Sequence, residues 1–230
     1  MNRPYIVCHM VTSLDGKVTG DFLSSAACEK AVGLYYDIHR TAKADGFICG
    51  RVPMEGSFTG GWYPDLSAYE RGEKTDYVPD TSSAFYAVAF DTHGKLGWKS
   101  HAIVDPDGDP GYDGARIIEV LSEDVDARYL GYLQAQNIPY LFAGKTAIDV
   151  ETALCKLKAA FGIDTLLLEG GSILNGAFHR AGAVDELSLG VAPVTAKGED
   201  KPLFMDGDGA AYRLVKADTR DDVLILQYKG

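Results

Sequence analysis

One stretch constrains the fold more than any other: Gly162 to Pro193, GIDTLLLEGGSILNGAFHRAGAVDELSLGVAP. Ile163 to Leu168 is a short apolar run between glycines, the pattern of a strand buried on both faces. Glu169-Gly170-Gly171-Ser172 must then turn the chain, because Ile173 to Arg180 takes up helical spacing. Gly182 stops that helix, and Val184 to Val191 alternates as a second strand. A strand, a glycine pair and a helix N-terminus form an anion site in outline. The first helical N–H groups lack acceptors, and glycine lets a phosphate approach the backbone. A Gly-Gly pair before a helix is also commonly only a turn, so at this level both readings stand.

The rest of the chain repeats the same units. Tyr5 to Val11 predicts a central strand; His9 within it reads as a satisfied core histidine sooner than a catalytic one. A helix is expected over Ala26 to Ala44, with Ala27, Ala31, Leu34, Tyr35 and Ile38 on one face, and a strand over Phe47 to Cys49. The segment after Gly50-Arg51 reads as a turn. Ser57 to Ser83 has no periodicity but carries Trp62, Tyr63, Tyr69 and Tyr77. It fits an ordered loop: a lid, a partner contact, or an aromatic cluster on its own domain. Strands follow at Ala84 to Phe90, His101 to Val104, Ile117 to Leu121 and Ile138 to Phe142, with helices at Ala127 to Gln136 and Val150 to Phe161. Ala211 to Ala217 and Val223 to Tyr228 close the chain as a strand pair. Alternation of strands and helices predicts one α/β domain over residues 1–230, with a mostly parallel sheet and an antiparallel C-terminal edge.

Several functions are excluded by composition or spacing. A net charge of −11 disfavours nucleic acid and anionic membranes. No apolar run approaches the roughly 20 residues of a membrane span. Neither a signal peptide nor any CxxC pairing is seen, so Cys8, Cys28, Cys49 and Cys155 are expected as free thiols in a cytoplasmic protein. Gly144-Lys145-Thr146 is not a P-loop, since the first glycine would fall at Pro139. Asp105 to Asp109 has acidic spacing, but Pro110 and Arg116 stand where a calcium loop requires Gly and Glu. No metal site is expected.

EGGSILNGAFHRAGAVDELSLGVAPV, together with Thr12-Ser13-Leu14-Asp15-Gly16-Lys17 near the start, resembles the reductase domain of riboflavin biosynthesis, of the dihydrofolate reductase-like superfamily. The resemblance implies that fold, NADPH as cofactor, a small heterocyclic substrate of pyrimidine type, as in the reduction of 5-amino-6-(5-phosphoribosylamino)uracil, and a homodimer. It implies that Gly170, Gly171, Ser172, Ile173, Leu174 and Asn175 cradle the cofactor pyrophosphate. Thr12 would lie by the nicotinamide, and Gly50 and Arg51 would line the cofactor's other side. Lys145 would reach the 2′-phosphate, unless it is a solvated turn lysine. Asp15 and Glu169 are the catalytic candidates, with Glu169 also facing the substrate. The alternatives are turn chemistry for Asp15 and a carboxylate favoured by the helix dipole for Glu169. Arg40 either meets the substrate phosphate or complements the end of its helix. Val52, Pro53 and Met54 replace the family's usual Gly-x-Gly-Thr turn, which leaves open a pterin-like substrate. A non-catalytic NADPH-binding module is the rival of a different class.

Overall fold

A computed structural model of the chain describes residues 2–79 and 82–230. In chain order its elements are β1 (Tyr5–Thr12), α1 (Glu29–Thr41), β2 (Gly46–Gly50), α2 (Arg51–Met54), β3 (Tyr86–Phe90), β4 (Arg116–Leu121) and α3 (Ala127–Ala135). Then come β5 (Tyr140–Phe142), α4 (Val150–Phe161), β6 (Thr165–Leu168), α5 (Ser172–Arg180), β7 (Glu186–Val191), β8 (Arg213–Arg220) and β9 (Val223–Lys229). Strand pairing is mostly parallel with an antiparallel hairpin at the C-terminal end, as the alternation predicts. The chain divides into two compact units, one of Ala44–Leu166 with the residues before Tyr5, the other of Tyr5–Lys43 and Leu167–Gly230.

In the first unit β2, β3, β4 and β5 pair in parallel in that order, with Ile48 opposite Val88, Val88 opposite Ile118 and Val120 opposite Leu141. Every residue of β3 and β4 is buried, which is why both read as continuous runs without alternation. The Asp126 and Asp149 side chains cap α3 and α4, accepting from Arg128 N at 2.9 Å and Thr152 N at 2.7 Å.

Two local expectations fail here for identifiable reasons. The segment after Gly50 is not a turn: α2 starts at Arg51 and continues as a π-helical turn over Glu55–Thr59. Pro53 is tolerated because it lies in the first helical turn, where no N–H is needed. His101 to Val104 does not form a strand but a single antiparallel bridge, Ala102 to Arg116, ended by turns over 105–114. The aromatic loop from Ser57 packs on its own unit; its residues 80 and 81 lie outside the described residues. Tyr69 meets Tyr132 edge-on at 5.3 Å, and Tyr77 meets Tyr140 at 5.6 Å and shares a backbone bridge with it.

Glu119, at the centre of β4, is a charge-bearing residue in a fully buried strand and is 0% exposed. Trp98 Nε1–H donates to its Oε1; the Tyr129 hydroxyl lies 3.3 Å from the same oxygen but donates to Leu96 O at 2.7 Å, and Oε2 has no partner among the described residues. Burial pushes its carboxyl well above the ordinary glutamate range, and the charge of Asp91 adds to the effect. The sign follows: the folded state holds this proton more tightly than the unfolded chain. The stabilisation is complete below the ordinary value of 4.5 and is lost as pH rises toward the folded value. Glu119→Gln keeps the acceptor oxygen and removes the titration. Its urea midpoint relative to the parent's should therefore improve between pH 5 and pH 8. An unchanged difference would show that Glu119 does not titrate in this range.

The second unit pairs β1 with β7 in parallel, Cys8 opposite Leu187 and Met10 opposite Leu189. Antiparallel β9 and β8 extend it. Val11, Phe22, Cys28, Ala31, Ala192 and Val223 form its core beneath α1. That helix starts at Glu29, later than its apolar spacing suggests, because Ser25 to Cys28 close a turn first, Cys28 N donating to Ser25 O at 2.9 Å. β8 is exposed along nearly its whole length and carries an irregularity between Leu214 and Lys216.

Candidate cofactor site at the Gly170–Gly171 turn

β6 delivers the chain to Glu169, and the turn follows at once. Gly170 has φ +106°, a left-handed conformation that favours glycine, and the Gly170–Gly171 peptide is cis. A Cβ at Gly170 would touch Met10 Sδ of β1 at 3.5 Å. Gly171 caps α5 with an ordinary φ of −75°. The first intrahelical bond runs from Asn175 N to Gly171 O at 3.0 Å. The N–H groups of Ser172, Ile173 and Leu174 therefore have no acceptor inside the helix, at its positive end.

Asn175 is a second unusual feature beside the turn. It is 0% exposed, and neither Oδ1 nor Nδ2 has a partner among the described residues. A buried side-chain amide with both ends unpaired is costly unless something polar meets it. One turn behind a Gly-Gly anion cradle, it fits a bound dinucleotide cofactor. Ser172 contributes differently from expectation: its hydroxyl donates to Pro202 O, so only its N–H is available. Ile173 is exposed and Leu174 half-buried.

A strap from Lys201 to Asp206 holds this helix. Met205 N donates to Ser172 O at 3.1 Å, and Arg180 Nη1 to Asp206 O at 2.7 Å. The Phe204 ring stacks on His179 at 4.3 Å. The same stretch is laced to the turn after β1, through Val18 N to Lys201 O at 2.9 Å and Leu203 N to Gly16 O at 3.1 Å. Thr12 is buried at the end of β1. Asp15, in the turn, is exposed and accepts from Ala196 N at 2.9 Å and Ser13 Oγ at 2.8 Å. Those bonds, the backbone one foremost, hold its carboxyl below the usual aspartate range. Asp15 is thus an ionised brace between two loops at neutral pH.

Glu169 is buried and turned inward. Its Oε1 lies 2.7 Å from His39 Nδ1 of α1, with the two side chains 2% and 1% exposed. His9 is the satisfied core histidine expected: Nε2 meets Tyr35 O at 3.0 Å, Nδ1 meets Ser188 Oγ at 3.0 Å, and the ring stacks on Tyr35. Burial, above all, lowers its pKa, and the neutral ring then donates from Nε2 and accepts at Nδ1. Arg40 is exposed at the end of α1, 2.6 Å from Asp37 Oδ1.

The remaining expected residues belong to the first unit. Gly50 caps α2, Arg51 Nη1 donates to Glu55 Oε2 at 2.6 Å, and Lys145 is exposed in the turn after β5. His39 and the 201–206 strap were not anticipated. The signal for His39 was present: Ala31, Tyr35 and His39 recur every four residues on the face α1 buries, so a polar group there needs a partner. Among the described residues no group of three or more His, Cys, Asp or Glu could hold a metal, and no helix is long and apolar enough to cross a membrane.

Comparison with known proteins identifies the family. A family profile described as RibD C-terminal domain matches residues 4–226. The chain is 39% identical, over 98% of both sequences, to a Methanothermobacter thermautotrophicus protein named 2,5-diamino-6-ribosylamino-4(3H)-pyrimidinone 5′-phosphate reductase. An Aquifex aeolicus protein of the same name is 26% identical over 91% of this chain and 85% of its own. Among solved structures, Acinetobacter baumannii RibD aligns with a TM-score of 0.67 at 17% identity, covering 100% of this chain and 58% of that one. The chain spans just over half of that protein, and at such identity the likeness is one of fold.

Proposed function

Because the chain belongs to the RibD C-terminal domain family, we propose that it is an NADPH-dependent reductase of a ribosylamino-pyrimidinone 5′-phosphate, the substrate named for its archaeal and bacterial relatives. The observation that carries the reading is the fully buried, unpartnered Asn175 amide behind the glycine turn. When bound, NADPH supplies the hydride, so the protein has to bind, orient and exclude water. The N–H groups of Ser172, Ile173 and Leu174 would hold the pyrophosphate, Gly170 and Gly171 would let it approach, and the buried Asn175 amide would back the cradle. Thr12 would border the nicotinamide, and Gly50 and Arg51, in the other unit, are carried as cofactor residues on the family resemblance alone. Asp15, whose carboxylate braces the adjoining turn, is the candidate to polarise the substrate or relay a proton, and Arg40 either meets the substrate phosphate or complements the end of its helix. The four free thiols suit a cytoplasmic enzyme.

NADPH oxidation followed by absorbance tests this reading. The diaminopyrimidinone phosphate should be turned over, and its deaminated uracil analogue and pterins poorly. Binding without turnover of any heterocycle would leave a cofactor-binding module, and no NADPH binding would end both readings. NADPH should be preferred to NADH, since a charged hydrogen bond to the 2′-phosphate contributes about 1.5–3 kcal/mol, roughly ten- to hundredfold. Lys145→Ala and Arg51→Ala should each erode that preference.

We also propose a homodimer, and both units as one domain. Sedimentation should then give about twice the 24.8 kDa chain mass, and calorimetry a single transition. A species near 25 kDa at micromolar concentration would refute the first, and two separate transitions the second.

A further inference from the structure

We propose that His39 is a positioning residue for the cofactor turn: it holds Glu169, and through it Gly170 and Gly171, in the conformation that presents the first N–H groups of α5. The inference rests on the cofactor reading above and deepens it. His39 Nδ1 and Glu169 Oε1 are 2.7 Å apart with side chains 1% and 2% exposed, so water cannot compete for either group. Their placement is matched to the helices that carry them. His39 lies in the last turn of α1, where the helix dipole favours a cation. Glu169 stands two residues before the Gly171 cap of α5, at the end that favours an anion.

The pair thus joins the negative end of one helix to the positive end of another across the turn. α1 is itself seated on β1 and β7, so the tether has a rigid anchor. Glu169 directs its carboxylate to this histidine and acts on the cofactor through the backbone that follows it. The second buried histidine, His9, is satisfied by Tyr35 O and Ser188 and leaves the role to His39.

The test uses His39→Leu and the ring-preserving His39→Phe, the latter in case the former folds poorly; neither can donate to Glu169. NADPH affinity, kcat at saturating cofactor, melting temperature and amide exchange of the 169–176 segment are read on each. Both variants should bind NADPH at least about tenfold more weakly, with kcat changed far less. In the ligand-free proteins, exchange of the Asn175 N–H, which donates to Gly171 O, should rise while that of the remaining helices stays as in the parent. His39→Gln, which can still donate to Glu169, should recover part of the affinity. A lowered melting temperature with parental affinity and parental exchange at the turn would overturn the proposal, leaving a merely structural pair. Failure of the parent to bind NADPH would refute the cofactor reading instead, while the exchange measurement still decides whether His39 holds the turn.

Discussion

Gly171→Asp should bind NADPH about a thousandfold more weakly than the parent. The new carboxylate would stand at the cap of α5, beside the place proposed for two phosphates. Repulsion between like charges about 4 Å apart is roughly 4 kcal/mol at an effective dielectric near 20. Each 1.4 kcal/mol is about tenfold in affinity. The backbone does not by itself demand glycine here, because the positive φ of the turn belongs to Gly170 and Gly171 has φ −75°. Melting temperature without ligand and NADPH affinity by fluorescence should be measured together. A variant that is folded and binds like the parent would remove the cradle and the main support for the reductase reading.

Gly176→Ala should lower the melting temperature by about 6–12 °C. In an ordinary helix interior this substitution stabilises by roughly 1 kcal/mol, so the expected sign is the reverse of the usual one. At Gly176 a Cβ would lie 1.8 Å from the Met205 carbonyl oxygen, and backbone cannot yield as a side-chain tip can. Overpacking of this kind costs about 3 kcal/mol, and each kcal/mol is roughly 2–4 °C for a chain of this size. The strap would have to lift from α5, so cofactor affinity should fall with stability. An unchanged melting temperature would show that the strap is not held against the helix.

The stretch from Gly162 to Pro193 made much of this architecture legible in the sequence, because glycines bracket its apolar runs and mark where each element ends. β3 was equally legible as a continuous apolar run. α2 was not, since Pro53 reads as a break and only its place in the first turn makes it harmless. The site was half legible. A Gly-Gly pair before a helix is visible as a pattern, but the complete burial of Asn175 and the inward turn of Glu169 depend on what packs around them. His39 and Glu169 are 130 residues apart, and no local spacing announces such a partner. Ser172 shows the same limit: its hydroxyl looks free for phosphate until Pro202 arrives to accept from it.

The lacing of Gly16 and Val18 to Lys201 and Leu203 bears on how fast a cofactor can leave. Two loops far apart in sequence share several main-chain bonds, and the second also grips the first turn of α5 through Ser172. Neither can swing alone without breaking those bonds, so any breathing at this rim must be concerted, with a high activation enthalpy and a release rate strongly dependent on temperature. Cutting the Thr19 Oγ1 bond to Lys201 N, by Thr19→Val, would loosen one stitch and leave the cradle itself untouched. With the proposed cofactor in place, Thr19→Val is therefore expected to raise its dissociation rate more than its equilibrium constant.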